Sequence, residues 1–86
     1  MRNVVLVAPY ATANTLRYIE ALCGLDGVRP ALISADPLAR FPKSIQEKLA
    51  AFETVASAMD GQALGVATKR ISRSLGAVDR LLGVLE

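Results

Sequence analysis

The sequence predicts an α/β fold: a small open parallel sheet of four strands with helices on both faces, like half of a Rossmann-like domain. Four strand-like apolar runs alternate with three helix-like segments, from Val4-Val5-Leu6-Val7 to Leu81-Leu82-Gly83-Val84-Leu85. The first run is β-branched and apolar without alternation, which suits a strand buried on both faces. Strand–helix alternation implies parallel strands joined by right-handed crossovers, and the order 3-2-1-4 is expected. At 86 residues the chain is one domain, residues 1–86. A chain of this size buries roughly 60–65% of the surface its unfolded form exposes, so its stability is expected to be modest.

The first strand spans Asn3 to Ala8. Thr12 or Asn14 can cap the helix that follows. There Leu16, Ile19, Leu22 and Cys23 recur at helical spacing, and Arg17 and Glu20 form an outward (i, i+3) pair. Gly24 is placed to end that helix and Asp26-Gly27 marks a turn. Pro30 stands near the start of a second strand, Arg29 to Ser34.

Asp36-Pro37 predicts an N-cap followed by a first-turn proline. Phe41-Pro42 interrupts the segment, and Ser44-Ile45-Gln46-Glu47 has the capping-box pattern, with Ile45 and Leu49 facing inward. The third strand is expected over Phe52 to Ala56. Asp60 can cap the last helix, where Leu64, Ala67, Ile71 and Leu75 form the buried stripe. Gly76 closes it, and Val78 to Leu85 makes the fourth strand. In the order 3-2-1-4 only the third helix covers the second face. The bare half of that face is expected to promote a homodimer or to lower solubility.

Composition excludes several function classes. The net charge is +2, too weak to argue for nucleic acid or a membrane surface as partner. No apolar run approaches the ~20 residues of a membrane span, and the first run breaks at Pro9, too early for a secretory signal. With one cysteine, Cys23, and no histidine, an internal disulfide, zinc sites and histidine-based catalysis are excluded. A cytoplasmic protein is the expectation.

Ligands of an open parallel sheet bind at the carboxyl ends of the strands. Here that edge comprises Pro9 to Thr15, Ser34 to Pro37, Ala56 to Asp60, and Glu86. Backbone N–H groups at the first helix start, flanked by Tyr10, Thr12, Asn14 and Thr15, suit an anion or a polar substrate group. The plainer alternative is that Thr12 and Asn14 only cap the helix. The turn Ala8-Pro9-Tyr10-Ala11-Thr12-Ala13 has no glycine, so the dinucleotide fingerprint is missing, as is the GxxxxGK[ST] loop. Asp36 stands about where a ribose-binding acid lies, but Pro37 favours a helix cap. The first and third strands end in Ala8-Pro9 and Ala56-Ser57, without the carboxylates of a phosphoacceptor site. Lys69, Arg70 and Arg73 share one helix face, read as solvated, and Cys23 reads as packing.

Four segments carry a family resemblance: Val4-Val5-Leu6-Val7-Ala8-Pro9-Tyr10, Asn14-Thr15-Leu16-Arg17, Ile33-Ser34-Ala35-Asp36-Pro37-Leu38, and Val78-Asp79-Arg80-Leu81-Leu82-Gly83-Val84-Leu85-Glu86. In order, they resemble the start of ATP-grasp proteins, closest to the Rossmann-like pre-ATP-grasp domain of biotin-carboxylase-like members. The resemblance implies a carboxylate–amine or carboxylate–thiol ligase that forms an acyl-phosphate from ATP and Mg²⁺. It further implies that this domain is non-catalytic and lends Tyr10, Thr12, Asn14, Thr15 and Glu86 to the acceptor-substrate side. The phosphate-holding lysines and Mg²⁺ ligands of the family lie downstream of its first domain, so ATP and Mg²⁺ would belong to the remainder of such an enzyme. The expectation is a piece of a longer ligase. The alternative is a stand-alone interaction or dimerisation module that uses the uncovered sheet face.

Overall fold

A computed structural model describes residues 1–57 and 60–83. The sheet has four parallel strands, β1 (Arg2–Val7), β2 (Val28–Ser34), β3 (Ala51–Thr54) and β4 (Arg80–Gly83), in the order β3-β2-β1-β4. Helices α1 (Ala13–Cys23), α2 (Lys43–Lys48) and α3 (Gly61–Leu75) join them, with a single 3₁₀ turn at Leu38–Arg40. The α/β class and the strand order are those the sequence predicts. Of the expected fourth strand, Val84 and Leu85 lie outside the described residues, as does Glu86.

Period-two side-chain alternation divides the core between the two faces of the sheet. Val4, Leu6 and Ala8 point with Leu32 towards Ile19, Leu22, Phe41 and Ile45. Val5 points with Ala31 and Ile33 towards Val55, Ala67 and Ile71. Val5, Ala31, Leu32 and Ile33 are fully buried, which explains the unbroken apolar character of β1 and β2. Phe41 meets Phe52 edge to face at 6.0 Å.

Pro30 lies inside β2, an interior strand, where a missing N–H would normally break a ladder. Its carbonyl accepts the Ala50 N–H at 2.7 Å, while pairing with β3 starts only at Ala31. The absent donor therefore falls just before the ladder begins.

Asn3, at the amino end of β1, is 5% exposed and fully hydrogen-bonded. Its amide Nδ2 donates to the carbonyls of Leu75 (3.1 Å) and Ala77 (2.8 Å), and its Oδ1 accepts from Arg29 Nε at 2.9 Å. The Asn3 backbone N–H donates to Asp79 Oδ2 at 2.7 Å, and the Asp79 N–H donates back to Asn3 O at 2.8 Å. Arg29 Nη2 also donates to the Leu75 carbonyl. A cation and an amide thus satisfy the last carbonyl of α3, that of Leu75, where the helix dipole favours positive charge. Gly76 turns the chain out of α3 at φ 94°, a conformation that favours glycine.

Several local expectations are corrected. Asp36 does not cap the segment after it: Pro37 stands at the N-cap of the 3₁₀ turn, and the Asp36 carboxylate reaches back to Ala11. No capping box forms at Ser44, because α2 begins at Lys43 after Pro42, which puts Ser44 inside the first turn. Gln46 instead donates to the Phe41 carbonyl at 2.7 Å. Asn14 is inside α1 and only Thr12 caps it. The third strand runs one or two residues earlier than expected, because Ala50 N–H already bonds to β2.

The uncovered surface is also placed differently. α1 packs on β2 and α2, and α3 on β2 and β3, so both lean away from β4. Leu81 and Leu82 are level with the buried Val5 and Leu6 yet are 52% and 46% exposed. The bare region is thus the edge strand on both of its faces, not half of one face.

Leu6→Ala is expected to cost about 2–5 kcal/mol as a core deletion in the central strand. Chemical denaturation measures it, and a loss below about 1 kcal/mol contradicts the central placement of β1.

Candidate functional site

The carboxyl edge of the sheet is built from the loop that leaves β1 and the loop that leaves β2. β1 passes straight into residues 8–12, and the Ala8 N–H still pairs with Ile33 O at 2.9 Å. Beyond the strands, the Ala35 N–H donates to Pro9 O at 3.1 Å, and the hydroxyl of the fully buried Ser34 donates to the same carbonyl at 3.2 Å. Ser34 Oγ in turn accepts the Asp36 N–H at 3.1 Å. This turns Asp36 so that its Oδ2 accepts the Ala11 N–H at 2.8 Å. The two loops are therefore joined by an unbroken chain of bonds from backbone to side chain and back.

Thr12 is the N-cap of α1, with its Oγ1 accepting the Thr15 N–H at 3.4 Å. Its hydroxyl is also bonded to Thr15 Oγ1 at 3.2 Å, and Thr15 is fully buried. Of the residues singled out from the sequence, Thr15 is thus a packed partner of the cap. Asn14 is exposed in the first turn, and Tyr10 presents its ring to solvent at 58% exposure. Tyr10, Thr12, Asn14 and Thr15 share one loop and helix start, while Glu86 is outside the described residues. Asp36 enters this group. The sequence places it on the same edge but reads it as a helix cap, and its bond to Ala11, 25 residues away, is what the local reading misses.

The strand order puts the topological switch point between β1 and β4, where the chain, having run from β1 out to β3, returns to the other side. The crevice expected there lies between residues 9–15 and the end of β4. On the β2 side of the same loop, Asp36 Oδ2 holds the Ala11 N–H. A phosphate oxygen bonded to the Ala11 amide would stand roughly 4 Å from that carboxylate charge, a repulsion of about 4 kcal/mol at surface dielectric. Among the described residues no three acidic, Cys or His side chains gather as a metal site.

The other candidates have packing or solvation to explain them. Burial pushes the Cys23 thiol up from its ordinary range, Lys48 opposes this and Glu20 adds to it, so the thiol is held protonated and weakly nucleophilic. Lys69, Arg70 and Arg73 are exposed, and Arg70 reaches Glu53 at 3.4 Å in a solvent-screened pair. Among the described residues no helix is long and apolar enough to cross a membrane.

Comparison with known proteins gives no family assignment: no family model, curated protein or solved structure matches the chain.

Asp36→Ala removes a charge-assisted bond that ties the two loops in a half-exposed setting. It is expected to destabilise the domain by about 1–2 kcal/mol in chemical denaturation. An unchanged midpoint contradicts the role given to the Asp36–Ala11 bond.

Proposed function

We propose that this chain is the non-catalytic, Rossmann-like N-terminal domain of an ATP-grasp ligase, and that its carboxyl edge forms part of the acceptor-substrate side. The observation that carries the reading is the prebuilt carboxyl edge beside the switch point. There the β1 and β2 exit loops are locked together by Ser34 and Asp36 beside the start of α1. A domain that only lends a wall to a neighbouring active site needs such a fixed, polar rim and no catalytic group of its own. In this reading Tyr10, Thr12, Asn14 and Thr15 belong to the rim, Thr15 through its bond to Thr12, and Glu86 is the further residue lent to the acceptor-substrate side. ATP and Mg²⁺ are held by the remainder of the enzyme. The protein works in the cytoplasm, with neither nucleic acid nor membrane as partner.

A second reading, an interaction or homodimerisation module, is favoured by one observation, the half-exposed Leu81 and Leu82 on a strand with an open edge. Such edges invite pairing or cover. In the ligase reading that cover is the rest of the enzyme.

Sequencing the gene across and past the Glu86 codon tests the choice. The ligase reading expects the frame to continue for roughly two hundred or more codons, enough for a further domain, with phosphate-binding lysines and a carboxylate cluster. A stop codon directly after Glu86 removes the enzyme and leaves the module.

A further inference from the structure

We propose that Asp36 sets the ligand charge accepted at the carboxyl edge: the edge takes a cationic amine and turns anions away. The inference rests on the ligase reading only for the amine's role, as the acceptor of carboxylate–amine rather than carboxylate–thiol ligation.

Two features of the structure carry it. Asp36 Oδ2 already holds the Ala11 N–H, the loop donor that an anion would use, so the negative charge at this point of the edge is internal to the protein. The second oxygen of the same carboxylate, Oδ1, has no donor among the described residues, and Asp36 is half-exposed. The ion pair found among the described residues joins Arg70 to Glu53, so no lysine or arginine there neutralises Asp36.

The carboxylate is also held in place before any ligand arrives. Its own N–H is fixed by Ser34 Oγ, which is fully buried and anchored on Pro9 O. Preorganisation of this kind lowers the ordering cost of binding. Tyr10 precedes the residue that Asp36 holds, and its ring is 58% exposed. Tyr10 thus belongs to the loop that Asp36 holds through Ala11, and aromatic faces attract alkylammonium ions. An anionic ligand end is repelled by the carboxylate, and a thiol offers it only a weak, uncharged S–H donor.

Amide-resolved NMR titration of the 86-residue chain tests this with butylamine at neutral pH and, separately, inorganic phosphate. The wild type is expected to show saturable butylamine shifts at Tyr10, Ala11 and Asp36, and none with phosphate. Asp36→Asn keeps an oxygen for the Ala11 N–H but removes the charge. It is expected to weaken the amine response by about tenfold or more, the loss expected for a charged hydrogen-bond partner. An equal response in the variant, no saturable amine response in the wild type, or saturable phosphate shifts at residues 11–15 would each overturn the inference. Its failure is separable from that of the ligase reading. The coding frame decides the ligase reading whatever the titration gives, and an intact ligase frame beside a failed titration removes this inference alone.

Discussion

Asn3 is a polar side chain buried at the foot of the central strand, and an unsatisfied amide there would cost roughly 1–3 kcal/mol. Every part of it is used. The amide nitrogen closes the end of α3 through Leu75 and Ala77, the oxygen holds Arg29 on the neighbouring strand, and the backbone exchanges bonds with Asp79 at the start of β4. One residue thereby fixes how α3 ends, where β4 begins and how both meet β1 and β2. The register of β4 against β1, Val4 level with Arg80 and Leu6 with Leu82, follows from that anchor more than from apolar packing, because β4 is exposed along its length.

The opposite end of the sheet depends on a matching device. Ser34 and Asp36 tie the exit of β2 to the exit of β1, so the edge where a ligand would bind is held by side chains from the strands' own ends. The molecule is thus a sheet clamped at both ends of β1 and left open along β4. The clamps make its polar edge rigid, and the open strand leaves it half-finished as a surface.

Much of the architecture is legible in the sequence because it rests on local, periodic signals. Unbroken apolar runs fix β1 and β2, and Asp60 and Gly76 bound α3 as their residue types predict. What stayed hidden is long-range and polar. Asn3 meets partners more than seventy residues away, and Asp36 meets Ala11 across a full crossover. No spacing rule within a helix or strand announces such pairs. The misread caps have one cause: Asp36-Pro37 and Ser44-Ile45-Gln46-Glu47 carry good local cap chemistry, but Pro42 already starts α2 and Ala11 already claims Asp36. Of the candidate site, the loop at residues 9–15 could be read from the sequence. Asp36 could be placed on the same edge, but its bond to Ala11 could not be read, since Asp36 reads locally as a cap.

The account centres on a sheet whose carboxyl edge is prebuilt and whose fourth strand is uncovered, and native-state hydrogen exchange measures both properties at once. The amides of Ala11 and Ala35 should exchange slowly, close to those of Val5 and Ile33, because opening them requires the two loops to separate. The amides of Leu81 to Gly83 should exchange much faster. Fast exchange at Ala11 and Ala35 together with strong protection along β4 would contradict the account, showing a mobile edge on a sheet already closed by its fourth strand.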